Sequence, residues 1–184
     1  VTIVVSPLIA LMKDQVDALH ALGISASYIN SSLTAAEVNE RVYNARHNKY
    51  KLLYVAPERL ETEQFQGAIR SLEISMVAID EAHCISQWGH DFRPSYRAIG
   101  PFITQLPKRP VIGAFTATAT ENVKQDIIEL LALNQPATYF TGFDRPNLHF
   151  AVIRGENKQD FVMSHAASNK NSSGIIYAAT RKEV

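Results

Sequence analysis

Residues 75–96 read SMVAIDEAHCISQWGHDFRPSY, and the fold turns on this stretch. It opens with an apolar run, Met76-Val77-Ala78-Ile79, and stops on two carboxylates, Asp80 and Glu81. A short run without polar alternation suits a strand buried on both faces of a parallel sheet. In open α/β sheets, ligands bind just beyond the carboxyl ends of the strands. Asp80 and Glu81 are therefore placed where chemistry is done. Adjacent acids can divide two jobs: one holds Mg²⁺, usually through its water shell, and the other orients or deprotonates an attacking water.

Behind the acids, His83, Trp88, His90, Phe92, Arg93, Tyr96 and Arg97 crowd into a short segment with Gly89 and Pro94. Rings and guanidinium groups together suit stacking on unpaired bases and pairing with phosphates. The plainer alternative is that Trp88 and Phe92 plug a core beneath a loop.

Working outward, apolar runs and helical periodicity alternate. Residues 1–5, 26–29, 51–55 and 111–115 read as further strands, and 137–141 as the last strand of the first domain. Ser6-Pro7 reads as a helix start, with Ser6 as cap and Gly23 as the stop. Thr34-Ala35-Ala36-Glu37 fits a capping box opening a helix towards Asn48, whose basic face is Arg41, Arg46, His47 and Lys49. Residues 63–72 and 96–105 read as short helices, the second despite Gly100-Pro101. Thr120 is placed to cap a helix over 121–131. Such alternation predicts right-handed crossovers and a parallel sheet.

The chain has 184 residues, 46% hydrophobic and 20% charged, with Lys+Arg 18 against Asp+Glu 18. That balance removes a global basic field, so any nucleic-acid contact must be local. One cysteine, Cys84, excludes an internal disulfide and a multi-cysteine zinc site, and fits a reducing compartment. No apolar run is long enough to span a bilayer, and no secretory signal pattern is present. Val1 stands inside a strand-like run and Val184 where a helix should begin, so the chain reads as a piece of a longer enzyme.

Asp80-Glu81-Ala82-His83 resembles the Walker B box of superfamily 2 helicases, and residues 84–94, CISQWGHDFRP, closely resemble the aromatic-rich loop of RecQ DNA helicases. The four-residue box alone recurs by chance; joined to this loop it is highly specific. VVSPLIALMKDQV resembles motif Ia, Ala56-Pro57-Glu58-Arg59-Leu60 motif Ib, Thr116-Ala117-Thr118 motif III, and residues 175–181 the start of motif IV. The resemblance implies a RecA-like, P-loop NTPase type α/β fold: a parallel sheet sandwiched by helices, followed by the start of a second RecA-like lobe. Phe143-Asp144-Arg145-Pro146-Asn147-Leu148 resembles the entry to that lobe, so the domains are expected at 1–143 and 144–184. The second would begin with strands at 148–153 and 174–177 around a helix at 157–167.

The resemblance further implies ATP and Mg²⁺ as cofactors, single-stranded and duplex-junction DNA as partners, no membrane, and a cytoplasmic or nuclear location. Asp80 would hold the metal, mostly through water, and Glu81 would activate the attacking water. His83 would sense the γ-phosphate and signal to Thr116, Thr118 and Gln87. Trp88, His90, Phe92 and Arg93 would grip a single strand. Ser6, Pro7, Pro57, Arg59, Arg145 and Asn147 would meet the DNA. Ser6 and the free N–H groups of its helix could bind a phosphate, or simply cap. Glu58 and Arg59 could equally pair with each other. Small hydroxyls of motif III could bond to the two acids and to the aromatic loop.

No G-x-x-x-x-G-K-S/T occurs in the 184 residues. The resemblance places that phosphate loop upstream of Val1, on a strand expected beside that of Asp80; either the chain is part of a larger molecule and its sheet lacks a central strand, or the sheet closes over the gap. The arginines of motif VI would lie beyond Val184. The chain alone is therefore expected to hydrolyse no ATP. Two rival readings are a metal-dependent hydrolase built on Asp80, Glu81, His83 and His90, and a non-catalytic single-stranded DNA-binding module.

Overall fold

The computed structural model describes residues 1–140, 142 and 146–180. They fall into two compact units, Val1–Thr138 and Tyr139–Val184. The first is built on a sheet of β1 (Thr2–Val5), β2 (Ala26–Ile29), β3 (Leu52–Val55), β4 (Met76–Ile79) and β5 (Val111–Ala114), in the order β2-β3-β1-β4-β5. Every pairing is parallel. Of the two alternatives, the sheet is closed: it has no central gap. β4 pairs with β1 on one side and β5 on the other, so both its ladders are filled and a further strand could join only at an outer edge.

The register matters for function. Val5, Ile79 and Ala114 stand level across β1, β4 and β5. The residues that follow them, Ser6, Asp80 and the segment from Phe115 to Thr118, therefore leave the sheet side by side.

Two layers of packing hold the sheet. Ile3, Val5, Leu53, Val55, Val77 and Ile79 face a core shared with Phe65, Ile85, Tyr96, Ile99 and Phe102. On the opposite face, Met12 and Val16 of α1 (Ile9–Ala21) pack with Ala26, Tyr54 and Ala56. Here β4 departs from the sequence expectation. Val77 and Ile79 are fully buried, while Met76 and Ala78 are half-buried, because the second cluster draws on β2 and β3 rather than β4.

α2 (Ala35–Arg46) starts as expected: Thr34 caps Glu37 N–H, and Glu37 returns a bond to Thr34 N–H, closing a capping box. α1 does not start as expected. It begins at Ile9 after Leu8, with no side-chain cap, because the Ser6 hydroxyl turns inward to Asp80 instead. Gly23, at φ +74°, ends that helix by donating to His20 O.

Past β3 comes a 3-10 turn, Pro57–Glu61, then α3 (Glu63–Ile69). Glu58 and Arg59 do not pair with each other. Arg59 donates twice to Asn30 O, at 2.8 and 3.2 Å, and Glu58 accepts from the Ser95 hydroxyl. The aromatic loop leads through a 3-10 turn, Pro94–Ala98, into α4 (Ile99–Gln105). Thr120 caps α5 (Glu121–Leu130), as expected.

The free edge of β2 is closed by side chains. Strand alternation turns Ala26 O and Tyr28 O away from β3. His20 Nε2 meets the first at 2.8 Å and Arg41 donates to the second at 2.6 Å. Arg41 also lies over the Tyr28 ring at 4.3 Å. Arg41, on the basic face of α2, is thus spent on the sheet.

The second unit contains α6 (Lys158–Ser168), close to the helix expected at 157–167, and Asn157 caps it. The strands expected at 148–153 and 174–177 do not form; among its described residues this unit has no strand. Phe150, Val152, Ile175 and Tyr177 are exposed. A β-prone run needs a partner ladder and a face to bury, and these two runs find neither. Residues 137–140 are likewise not a strand. Thr141 and the anticipated 143/144 boundary fall on or beside positions outside the described residues.

Candidate functional site

The chain leaves β4 through an abrupt turn. Glu81 has φ 47° and ψ 44°, a left-handed conformation uncommon for a residue with a Cβ. Three bonds hold it. Asp80 Oδ1 accepts from Glu81 N–H at 2.9 Å, Ala82 N–H donates to Phe115 O at 2.9 Å, and the buried Tyr96 hydroxyl donates to Asp80 O at 2.8 Å. Strain of this kind persists only where the surroundings over-determine it. The turn aims the two carboxylates beyond the sheet edge, where Asp80 and Glu81 are both half-buried.

Asp80 Oδ2 also accepts from the Ser6 hydroxyl at 3.3 Å, and Ser6 is 0% exposed. Among the described residues neither acid is paired with a lysine or arginine. Uncompensated oxygen donors at a strand tip suit a hard cation such as Mg²⁺.

His83 sits behind them. Its Nδ1 is 3.2 Å from Glu81 Oε2 and 2.9 Å from Thr116 Oγ1. A carboxylate only accepts, so a proton on Nδ1 serves both; this tautomer is assigned from its partners. The ring stacks on His90 at 4.3 Å between centroids, and Thr118 Oγ1 lies 3.4 Å from His90 Nδ1. Thr118 N–H donates to Thr116 Oγ1. The motif III hydroxyls thus meet the two histidines, not the carboxylates as the sequence suggested. The histidines fill the level between the acids and the segment after β5.

Burial, then the neighbouring His90, pushes the His83 pKa below the ordinary histidine range. The folded state therefore favours neutral His83. That stability is fully present above the unfolded value of about 6.5 and is lost as pH falls from there towards the folded value. The urea midpoint should drop between pH 7 and pH 5, and should drop less in His83→Gln. Equal drops in the two proteins would assign the loss to other groups.

The loop itself divides into anchored and presented residues. Arg93 donates to Asp91 Oδ2 from two nitrogens, at 2.8 and 3.0 Å, and to Pro7 O at 3.2 Å. These bonds hold the Asp91 carboxyl below the usual range. Arg97 lies 5.3 Å from the Phe92 ring. Cys84 is fully buried, and burial pushes its thiol up to about 11, so it is inert rather than catalytic. Gly89 lies so close to His83 O that a Cβ there would sit 2.4 Å from it. Trp88 is 75% exposed and Gln87 is exposed. The core-plug alternative for Trp88 therefore falls, while Phe92 is half-buried.

The structure brings Asp80, Glu81, His83, His90, Thr116, Thr118 and Ser6 into one connected network, and ties Pro7 to it through Arg93. Pro57 is buried, and Arg59 is directed at Asn30, at the end of β2. Asn147 is exposed in the second unit, and Arg145 lies outside the described residues. Tyr96, Asp91, Ser86 and Asp126 belong to the network but were not singled out as site residues. Tyr96, among the rings crowded behind the acids, and Asp91, two residues from Arg93, carried local signals. The metal-hydrolase reading finds no support. Among the described residues no three His, Cys, Asp or Glu groups converge as ligands, because His83 and His90 stack face to face.

A family model described as DEAD/DEAH box helicase matches residues 1–126. The chain is 52% identical over 182 residues to the ATP-dependent DNA helicase RecQ of Bacillus subtilis (strain 168), covering 99% of the chain and 31% of that relative. It is 45% identical over 183 residues to the RecQ of Pasteurella multocida (strain Pm70), covering 100% and 29%. The mouse ATP-dependent DNA helicase Q5 is 42% identical over 201 residues, with 99% and 20% covered. The chain thus spans about a third or less of the length of the curated relatives it matches. Among solved structures, the Pyrococcus furiosus Hef helicase domain superposes with TM-score 0.53 at 16% identity, over 71% of this chain and 26% of that one. A hypothetical ATP-dependent RNA helicase from Sulfolobus tokodaii gives 0.54 at 20% identity, over 72% and 38%. These two likenesses bear on the fold alone, which is the RecA-like α/β type. Among the described residues no helix is long and apolar enough to cross a membrane.

Proposed function

Because this chain belongs to the DEAD/DEAH box helicase family, we propose that it is the middle part of the motor of a RecQ-type ATP-dependent DNA helicase. One observation carries the reading. The acids at the tip of β4 connect, through His83–Thr116 and His90–Thr118, to the loop that presents Trp88 to solvent. A nucleotide-facing carboxylate is then linked, through hydrogen bonds and the stacked His83–His90 rings, to the loop that carries the nucleic-acid-facing Trp88. The names of the relatives, DNA helicases dependent on ATP, support the same reading.

In the longer protein, Mg²⁺ would supply charge neutralisation on the triphosphate. Asp80 would hold it, mostly through water, and the Ser6 hydroxyl fixes the Asp80 carboxylate in place. Glu81 would orient and deprotonate the attacking water. Neutral His83, bonded to both Glu81 and Thr116, would report the state of Glu81 to the segment after β5. Trp88, His90, Phe92 and Arg93, with Gln87, would contact a single strand. Ser6, Pro7, Pro57 and Arg59 would meet the DNA backbone, and Arg145 and Asn147, at the entry to a second lobe beginning near 144, would also contact DNA. The cycle would drive 3′ to 5′ movement, unwinding at duplex junctions, and a role in repair or recombination. Without a glycine-rich phosphate loop in its 184 residues, the chain by itself would hydrolyse no ATP.

Trp88→Ala tests the loop. Base stacking on one aromatic ring is worth about 1–3 kcal/mol, so single-strand affinity should fall roughly tenfold or more, while nucleotide binding by a full-length protein stays unchanged. Undiminished DNA affinity and undiminished DNA stimulation of ATP turnover in that variant would sink the assignment.

A further inference from the structure

We propose that Asp126, on α5, is a positioning residue for Trp88 and acts through the Ser86 hydroxyl. Ser86 Oγ donates to Asp126 Oδ2 at 2.6 Å and accepts from Trp88 N–H at 3.1 Å. Ser86 is 0% exposed. Its backbone extends the same turn: Ser86 N–H donates to His83 O, and Gly89 N–H donates to Ser86 O. One buried hydroxyl therefore sets the direction in which the chain leaves the 3-10 turn Ala82–Ile85, and so where the exposed indole stands.

The bond to Asp126 is short and charge-assisted, a class about twice as strong as a neutral hydrogen bond. It also fixes the hydroxyl rotor. With the Ser86 proton committed to a carboxylate, the oxygen's lone pairs are left for Trp88 N–H. Asp126 is itself held, because Val123 and Ile127 on either side of it are buried in the core. Its helix starts at Thr120, directly after the segment that bonds His83 and His90. The region after β5 thus reaches the loop twice, at the histidines and at the base of Trp88. A shift of that region would move the indole and the histidines together. The use of Trp88 in gripping a single strand rests on the function proposed above; the mechanical link to Asp126 does not.

The chain contains one tryptophan, so its intrinsic fluorescence reports on Trp88 alone. Steady-state anisotropy and acrylamide quenching should be measured for the parent chain, Asp126→Ala and Asp126→Asn, with far-ultraviolet circular dichroism as a check on folding. Asp126→Ala should lower the anisotropy and weaken binding of a single-stranded oligothymidylate roughly tenfold, the equivalent of one lost charge-assisted bond. Asp126→Asn, which keeps an acceptor oxygen, should recover most of both. A folded Asp126→Ala chain with parental anisotropy overturns the proposal. So does an Asp126→Asn chain as loose as the alanine variant. If the parent chain fails to bind the oligonucleotide while the anisotropy still falls in Asp126→Ala, the positioning role stands and the DNA reading fails.

Discussion

Glu81→Gln, made in a full-length protein that contains this chain, should reduce ATP turnover by about 10²–10⁴-fold, the usual worth of a positioned general base. The amide keeps the shape of the side chain and can still meet His83, but it cannot take a proton. Nucleotide binding and the folding midpoint should barely change, since the strained turn at Glu81 is held by Asp80, Tyr96 and Phe115 O rather than by the Glu81 side chain. Single-turnover hydrolysis with radiolabelled ATP separates the chemical step from release. A rate within about threefold of the parent would remove Glu81 from the role of base.

Gly100→Ala should destabilise the first unit by roughly 3 kcal/mol, at the upper end of ordinary overpacking. Glycine inside a helix normally costs about 1 kcal/mol against alanine, so propensity alone argues for the opposite sign. Packing reverses it. A Cβ on Gly100 would sit 2.3 Å from Leu130 O, a backbone atom at the end of α5 that cannot swing aside. Either α4 or the end of α5 must shift, and Phe102, Ile103 and Leu131 in the shared core would shift with them. Urea titration followed by circular dichroism measures the loss. A stabilised variant would mean that the two helices part without cost.

The positions of the strands and the tip of β4 were legible because their signals are local. A bare apolar run stopping on two acids needs no partner to be recognised, and the Thr34–Glu37 box lies within one turn. What escaped the sequence was non-local. Nothing in Ser6-Pro7 says that the hydroxyl will leave its own helix for Asp80, 74 positions away. Nothing links Ser86 to Asp126, 40 positions on. The resemblance led to the expectation of a further strand beside that of Asp80, whereas parallel crossovers set β4 between β1 and β5. The strands expected at 148–153 and 174–177 fail for the converse reason: propensity was present, and a surface to bury against was not.

The two rims of the sheet are unlike. At β2 the outward carbonyls already belong to His20 and Arg41. At β5 the outward-facing Ile112 and Ala114 take no backbone partner among the described residues, and Phe115 beside them is 56% exposed. The sheet is therefore extensible in one direction only, and whatever strand docks there arrives one position from the acids, alongside the residues that lead into Thr116.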